Sequence, residues 1–284
     1  DLADHVIADH YPDHTNCYDT WFSEIVSRTA HLMALWQAVG FAHGVMNTDN
    51  FSILGLTIDY GPFGFMDDFD PEYICNHSDH TGRYAFNQQP RIGLWNLHVL
   101  AQALSSLLTD SQKKHGLDAY WPAFIASYHK QMSLKLGLED LSQESDRLIA
   151  GVHELLVKHK LDYTQFFRAL SHYANNEDPA HFSEFATQEM MNDDWFHHIR
   201  TAWKSAAGDK DARSKMMLSV NPKYVLRNYL AEQAIRQATL AKDFAEIDRL
   251  FQLLARPFDE QPEMHHYAGS PPAWADSLCI NCSS

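Results

Sequence analysis

The stretch HGVMNTDNFSILGLTIDYGPFGF, residues 43–65, changes character partway along its length. Residues 43–50 are mostly small and polar, whereas residues 51–65 are β-branched, aromatic and punctuated by glycine, with no helical period. This pattern predicts one or two short strands joined by a turn. Such a hairpin would bring the amide of Asn50 close to the carboxylate of Asp59. Oxygen ligands of these two kinds suit a hard divalent cation that keeps several of its waters.

The sequence on both sides of this stretch has mainly helical patterning. Residues 20–39 place apolar side chains on one broad helical face, which ends at Gly40. Residues 67–90 predict a long irregular loop, and loops of that length inside a compact domain are usually functional or mobile. Beyond Pro90, further helices are predicted at 93–108, 118–136, 143–160, 162–174, 193–206, 222–240 and 243–255.

The last part of the chain carries one helix-start signal and an irregular tail. Asn221-Pro222 is typical of a helix N-cap followed by proline at the first helical position. The Pro-, Gly- and Ser-rich residues 262–284 predict an extended strap that contains cysteine. The predicted fold class is mainly α with a short β-containing segment. We divide it into residues 1–110 and 111–284, packed as one continuous unit.

Composition excludes several classes of protein. Hydrophobic residues make up 45% of the 284, so a sizeable core is possible and wholesale disorder is excluded. The formal net charge is -15, which disfavours nucleic acid as a general partner. No apolar run has the length that crosses a bilayer, and no signal peptide is visible, so no membrane partner is expected. With only four cysteines, a reducing compartment is the default expectation.

Residues 43–61 are similar to the catalytic and metal loops of protein kinases. There, H-R-D-L-x-x-x-N is followed by D-F-G, and the Asn and the second Asp hold Mg²⁺ against nucleotide phosphates. Here His43 begins the loop, Asn50 has the metal-binding spacing, and Asp59 begins a D-Y-G. Val45 replaces the acid that accepts the substrate proton. Asp49 is the nearest substitute, although it could instead only cap a turn.

A longer comparison shows that the chain resembles the selenoprotein O (SelO/YdiU) family. The resemblance rests on residues 43–90, on NPKYVLRNYLAEQAI (221–235) and on PPAWADSLCINCSS (271–284). Members of this family are pseudokinases that transfer AMP from ATP to Ser, Thr or Tyr hydroxyls of proteins, with the nucleotide flipped relative to a kinase. The resemblance implies a kinase-like C-lobe with a short β-containing catalytic segment in 1–110 and a helical C-terminal extension in 111–284.

The same resemblance assigns roles to individual residues. Asp49 matches the family's proton acceptor, Asn50 a magnesium ligand, and Asp59 the second magnesium ligand, which also contacts ATP. The implied cofactor is Mg²⁺ or Mn²⁺, ATP is a substrate, and proteins are the acceptors. If the α-phosphate reacts instead of the γ-phosphate, the base need not stand at Val45. The resemblance also implies a cytoplasmic location for a bacterial chain and a mitochondrial one for a eukaryotic chain.

Some parts of a complete kinase-like site are absent from these residues. The sequence contains no G-x-G-x-x-G loop and no strand lysine of the V-A-I-K type. The chain also lacks an initiator Met and opens within a helical pattern. We therefore expect a C-terminal portion whose partner is the N-lobe segment of the same protein, and which adenylylates poorly alone. Two alternatives stay open: an atypical kinase that transfers the γ-phosphate, and a non-catalytic, redox-regulated binding protein.

The cysteines allow more than one interpretation. Cys279 and Cys282 form a C-x-x-C that could be half of a zinc site or a redox pair. Some members of the family carry selenocysteine at the position of Cys282. The resemblance thus implies redox control through a disulfide between Cys75 and Cys282, which would fasten the tail across the 67–90 loop. A Cys279–Cys282 disulfide and free thiols remain the alternatives.

Overall fold

Helix α2 (Tyr18–Val39) is the longest element of the computed structural model, which describes residues 2–138, 143–183, 185, 187–206 and 208–280. Its buried face includes Phe22, Ile25 and Trp36, as the apolar period predicts. Gly40 ends the helix with φ 70°, and its N–H donates to the carbonyl of Trp36. A residue in the left-handed region is the usual helix stop, and glycine adopts it without steric cost.

The described part of the chain is mainly helical. Helices α1 (Leu2–His10) and α2 precede residues 43–61. The helices that follow are α3 (Gln89–Ala103), α4 (Asp110–Asp118), α5 (Tyr120–Leu136), α6 (Gln143–His159), α7 (Tyr163–Asn176), α8 (Gln188–Met191), α9 (Asp194–Ser205), α10 (Lys210–Val220), α11 (Asn228–Arg236) and α12 (Ala245–Leu254). Short 3-10 turns occupy Pro12–His14, Thr48–Asn50, Phe86–Gln88, Pro179–Phe182, Pro262–Ala268 and Ala273–Ser277. None of these helices is both long and apolar enough to span a bilayer.

Two short strands form an antiparallel pair. β1 (Phe41–Ala42) follows α2 directly, and β2 (Gly64–Phe65) pairs with it in the register Phe41↔Phe65 and Ala42↔Gly64. The sequence predicted strands within 51–65, but only the last two residues of that range are extended in a ladder. Residues 51–63 instead run as turns and irregular backbone. The partner of β2 is β1, which follows the end of α2 at Gly40 so closely that the sequence shows no strand pattern there.

Other helix predictions need correction at their boundaries. The predicted helix at 118–136 corresponds to α5, with α4 as a separate helix before it, and α10 was missed. The predicted start at Asn221-Pro222 is wrong, because α11 begins at Asn228. The Asn221 side chain is buried and donates to the carbonyl of Lys135 and to Ser171 Oγ, so it fixes a loop instead of capping a helix. Up to residue 280 the predicted extended tail contains two 3-10 turns.

Buried apolar side chains form three clusters. One lies between α2, α3, α4 and α5 and includes Phe22, Met33 and Tyr120. A second is formed mainly by α5, α6, α7, α9 and α10, and it also takes in Met66 and Phe69 from the segment after β2. The third joins α11 and α12 to the C-terminal turns. The segment after β2 therefore packs into the core of the helical region.

A buried arginine connects the C-terminal helices to that segment. Arg227, at the N-cap of α11, is 2% exposed and forms ion pairs with both Asp67 and Asp162, the second at 2.8 Å. Asp162 also caps α7 by accepting from the N–H of Gln165. Backbone hydrogen bonds from Phe69 to Leu161 and from Tyr163 to Asp67 close the same junction. One guanidinium thus joins three parts of the chain.

We predict that Arg227→Ala strongly destabilises the fold. The substitution leaves the Asp162 carboxylate, which is 6% exposed, without its counter-ion. Breaking a buried pair in this way costs about 3–5 kcal/mol. The matched control is Arg256→Ala, because Arg256 pairs with Asp259 only at the surface, at 3.8 Å, and such pairs contribute at most about 1 kcal/mol. Urea unfolding of both variants measures the difference, and equal midpoints would contradict the assignment.

Candidate active site

His43 connects the two loops that carry the predicted site residues. Its side chain is 1% exposed and packs against the ring of Trp36, with 5.3 Å between centroids. Nε2 donates to the carbonyl of Ile58 at 2.8 Å, and Nδ1 accepts weakly from the N–H of Val45 at 3.4 Å. Burial lowers the pKa of His43, so the ring is neutral at pH 7. The residue before Asp59 is therefore held directly against the loop that leads to Asn50.

The residues after His43 turn into the protein. Gly44 has φ 81°, and a Cβ there would lie 2.6 Å from the carbonyl oxygen of Pro62 and 2.7 Å from Cys75 Sγ. No side chain fits at this position without displacing the backbone. The Val45 side chain is buried, at 9% exposure. Position 45 thus belongs to the core, and an acid there would point away from solvent.

Asn50 and Asp49 lie on the 3-10 turn Thr48–Asn50. The amide nitrogen of Asn50 donates to the carbonyl of Val45 at 3.1 Å. That bond fixes the orientation of the side chain and leaves Oδ1 available as a ligand. Asp49 is exposed, and within the described part of the chain its carboxylate has no hydrogen bond or ion pair. Its exposure leaves this carboxylate accessible to an incoming group.

Asp59 has a left-handed backbone, with φ 57°, and its carbonyl accepts from the N–H of Gly61 at 2.8 Å. A non-glycine residue in this region is uncommon, but aspartate tolerates it better than most. The carboxylate is exposed, and no side chain in the described ranges pairs with it. A strained backbone that presents an unpaired carboxylate is typical of a functional position.

The donor set fits a magnesium-type ion. Across the described residues, no three His, Cys, Asp or Glu side chains come together as a metal-binding group. The predicted ligands are instead one amide oxygen, from Asn50, and one carboxylate, from Asp59. Mg²⁺ binds through few protein oxygens and completes its shell with water and phosphate, so two such ligands suffice.

The loop that contains Asp59 also exposes apolar side chains. Leu56, Ile58 and Tyr60 are 56%, 37% and 60% exposed. Tyr60 contacts Phe41 and Phe63 through its ring edge, with centroids 6.3 and 5.3 Å apart. Three exposed apolar side chains in one short loop form a surface that can bind another protein segment.

Cys75 lies directly against Gly44, next to His43. Its side chain is 2% exposed, and Sγ donates to the carbonyl of Ala42 at 3.4 Å. Nearby, His77 binds the tail: its N–H donates to the carbonyl of Ile280 at 2.8 Å, and the N–H of Ile280 donates to His77 Nδ1 at 3.0 Å. Cys282 lies outside the described residues, so both predicted pairings of Cys282 stay predictions.

Several buried polar residues support the site, and sequence patterns did not single them out. Gln89 is fully buried; its Oε1 accepts from the N–H of His43, and its Nε2 donates to the carbonyl of Phe41. Asn76 donates to the carbonyl of Gly44, and Asn228 to that of Phe63. Amide side chains on otherwise apolar segments are the only local signal for this role, and that signal is weak.

The sequence of this chain matches a known protein family over most of its length. The model of the family described as protein adenylyltransferase SelO matches residues 1–255. The chain belongs to this family. It is 48% identical over 286 residues to the protein nucleotidyltransferase YdiU of Yersinia pseudotuberculosis and 48% identical over 289 residues to that of Myxococcus xanthus. It is 49% identical over 297 residues to the protein of the same name from Thioalkalivibrio sulfidiphilus.

These alignments cover all of this chain but only part of each SelO-family relative. In all three cases the match takes in 100% of the chain and 59% of the relative. The chain therefore spans about three-fifths of the length of the curated relatives that it matches. The family resemblance inferred from residues 43–90 and from the two C-terminal segments is confirmed.

We predict that Cys75 resists alkylation in the native protein. Burial raises the pKa of its thiol to about 12, so at pH 8 only about one thiol in ten thousand is ionised, and the thiolate is the nucleophile. Cys17 is exposed and serves as the internal control. Mass spectrometry after iodoacetamide treatment should show modification at Cys17 well before Cys75, with urea abolishing the difference. Equal native rates at the two sites would contradict the burial of Cys75.

Proposed function

We propose that the protein containing this chain is an ATP-dependent protein adenylyltransferase, which transfers AMP to Ser, Thr or Tyr hydroxyls of other proteins. One observation carries the proposal: His43 holds the Asp59 loop against the loop of Asp49 and Asn50 in a chain that belongs to the SelO family. The relatives named as protein nucleotidyltransferases support the reaction class. The choice of AMP and of hydroxyl acceptors comes from the family resemblance.

In this proposal, Asn50 and Asp59 hold Mg²⁺ or Mn²⁺ together with the phosphates of ATP. The ion would offset charge on the phosphate oxygens and on the pyrophosphate leaving group. The hydrogen bond from the Asn50 amide nitrogen to Val45 fixes the side chain and leaves its amide oxygen as the ligand atom. The left-handed backbone of Asp59 presents its carboxylate at the surface of the loop. Both residues are thus prepared for binding by the backbone around them.

Asp49 is proposed as the proton acceptor for the hydroxyl that attacks phosphorus. A general base has to reach the proton that it removes, and an exposed carboxylate next to the metal ligand Asn50 can do so. Val45 cannot take this role, because it is buried and has no basic group. With the α-phosphate as the reacting group, the acceptor hydroxyl would approach from the side of Asp49.

We further propose that residues 1–110 correspond to the C-lobe of a kinase-like fold. The β1–β2 pair and the neutral His43 between the two loops support this correspondence. The exposed side chains of Leu56, Ile58 and Tyr60 would then contact an N-lobe segment of the same protein, which would supply the phosphate-binding loop and lysine that this sequence does not contain. The 284 residues alone would accordingly transfer AMP weakly.

We predict that this chain binds ATP in a Mg²⁺-dependent manner and that Asp59→Asn weakens this binding about tenfold or more. Asparagine tolerates the left-handed backbone as well as aspartate does, so the variant removes charge without adding strain. Asp13→Asn, at an exposed turn remote in sequence from the loops, is the matched control. Calorimetric titration with and without Mg²⁺ measures both. Binding that is unchanged by Asp59→Asn would favour the non-catalytic alternative.

Label transfer separates the two proposed reactions and the roles of the acids. The complete gene product should transfer label from α-labelled ATP to protein and none from γ-labelled ATP. Transfer from the γ-position would instead favour the atypical kinase.

Asp49→Asn should retain Mg²⁺–ATP binding and lose transfer, because it removes the base and leaves both metal ligands. Loss of binding in Asp49→Asn would contradict its role as proton acceptor.

We also propose that Cys75 and Cys282 form a disulfide that fastens the tail across the 67–90 loop under oxidising conditions. The mutual backbone and side-chain contacts between His77 and Ile280 support it, since they bring the tail to the segment of Cys75. Formation of the bond would release two electrons and two protons to an oxidant such as glutathione disulfide. Because burial raises the pKa of the Cys75 thiol to about 12, Cys282 would attack glutathione disulfide first and release one glutathione. Cys75 would then lose its proton and attack the Cys282–glutathione mixed disulfide, which releases the second glutathione.

We predict a cross-linked peptide containing Cys75 and Cys282 in a non-reduced digest of protein oxidised with glutathione disulfide. The peptide should disappear on reduction and should be absent from a Cys282→Ser variant. Cys17→Ser is the control, because Cys17 is exposed near the start of α2 and should not affect the linkage. Recovery of a Cys279–Cys282 linkage, or of unlinked peptides only, would contradict the proposal.

A further inference from the structure

A wide groove lies between the 72–88 loop and the first turns of α3. Its volume is about 770 Å³, and its lining includes Arg83, Arg91, His80, Glu72, Ile92 and Trp95. The indole of Trp95 is 44% exposed, so it offers an apolar surface on one side. The proposed roles of Asp49, Asn50 and Asp59 use none of these lining residues. The groove is therefore a separate feature that needs its own explanation.

Both sides of the groove are attached to the catalytic loop. On the loop side, the hydroxyl of Tyr84 donates to Asn47 Oδ1 at 2.6 Å. On the α3 side, Asn96 donates to the carbonyl of Met46 at 3.1 Å. Met46 and Asn47 precede Asp49 by three and two residues in the sequence. Residues next to the lining thus tie the groove to the loop that carries Asp49, the residue proposed to receive the acceptor's proton.

The groove carries unpaired positive charge in a strongly acidic chain. The formal net charge is -15, yet this groove contains two arginines, and Glu72 is the one acid among its described lining residues. Over the part of the chain that the structure describes, neither Arg83 nor Arg91 forms an ion pair with a carboxylate. Both side chains are exposed. Their N–H groups are therefore available to an incoming anion.

Arg83 is also held in place before any ligand arrives. Its guanidinium lies over the ring of Trp95 at 5.0 Å and over that of Tyr84 at 5.6 Å. The carboxylate of Asp79 accepts from the backbone N–H groups of Arg83 and Tyr84, and this fixes the turn. Stacking on aromatic faces leaves the guanidinium edge free for a carboxylate, which it binds in a two-point fork.

We propose that this groove binds an acidic segment of the acceptor protein and so directs a nearby hydroxyl towards Asp49. The inference rests on the proposed function, because it takes the groove as the binding site of the acceptor. Carboxylates of the segment would pair with Arg83 and Arg91, and an apolar side chain would pack on Trp95. Recognition would therefore favour hydroxyls that are flanked by Asp or Glu.

Peptide binding to the 284-residue chain tests the proposal without requiring any transfer. The probes are two fluorescein-labelled peptides of equal length around one Tyr, the first flanked by Glu and the second with Gln at the same positions. Fluorescence anisotropy should show that the Glu peptide binds more tightly than the Gln peptide. Its affinity should fall as added salt shortens the screening length from about 10 Å at 0.1 M to about 3 Å at 1 M. Equal affinity for the two peptides would overturn the proposal.

Charge reversal locates the site. Arg83→Glu and Arg91→Glu should each weaken binding of the Glu peptide by about fivefold or more, because attraction becomes repulsion. Lys204→Glu, on the exposed surface of α9, changes the net charge equally and should have little effect. A peptide with Lys in place of Glu should bind Arg91→Glu better than it binds the unmodified chain. An equal loss in the Lys204 variant would show a non-specific charge effect and overturn the proposal.

Nucleotide competition distinguishes an acidic segment from a second nucleotide. If ATP displaces the peptide from Asp59→Asn as well as from the unmodified chain, a nucleotide binds in the groove. That result would overturn the proposal. Absence of Mg²⁺–ATP binding together with intact, charge-dependent peptide binding would contradict the proposed function but leave the acidic-segment site standing. The two hypotheses therefore fail by different measurements.

Discussion

The buried guanidinium of Arg227 is the interaction on which the arrangement of the molecule depends. Removing an arginine from water costs several kcal/mol, and only well-placed carboxylates offset that cost. Asp67 and Asp162 supply them, one from the segment after β2 and one from the start of α7. If either the segment or the helix moved away, the buried guanidinium would lose one of its two carboxylate partners. The three parts of the chain are therefore fixed relative to one another by electrostatics as well as by packing.

That constraint extends to the candidate site through the β2 segment. Residues 64–67 lie between the Asp59 loop and the Arg227 junction, and Asn228 donates to the carbonyl of Phe63 on the same segment. β2 pairs with β1, which leads within one residue to His43. His43 in turn binds the carbonyl of Ile58. The loop of Asp59 is thus held at both ends. This explains how a left-handed aspartate can persist there although no residue in the described ranges bonds to its carboxylate.

The sequence predicted the helices better than it predicted the candidate site. Apolar periodicity located α2, α6, α7, α9 and α12 because each buries one face against the core. It failed for residues 51–63, where β-branched and aromatic side chains pack irregularly around Phe41 and Phe63 instead of forming a ladder. Asn221-Pro222 has the composition of a helix start, but tertiary hydrogen bonds to Lys135 and Ser171 determine its structure. Local signals cannot reveal a partner so distant along the chain.

Position 45 shows why the motif alone was ambiguous. The sequence showed that a valine stands where a kinase has an acid, and the structure shows that this position faces the core. Gly44 adds to the reason: its left-handed backbone and the closeness of Pro62 and Cys75 leave no room for a side chain, so the loop turns inward at this point. The next exposed acid along the loop is Asp49. In a chain of net charge -15, Asp49 and Asp59 both stand exposed, and neither has a cationic partner among the residues that the structure describes. The cation proposed at Asn50 and Asp59 would offset part of this negative charge. The carboxylates of the proposed acceptor segment would instead pair with Arg83 and Arg91. The two halves of the proposed reaction would thereby use surface charges of opposite sign, with acids on the loops of Asp49 and Asp59 and arginines in the groove.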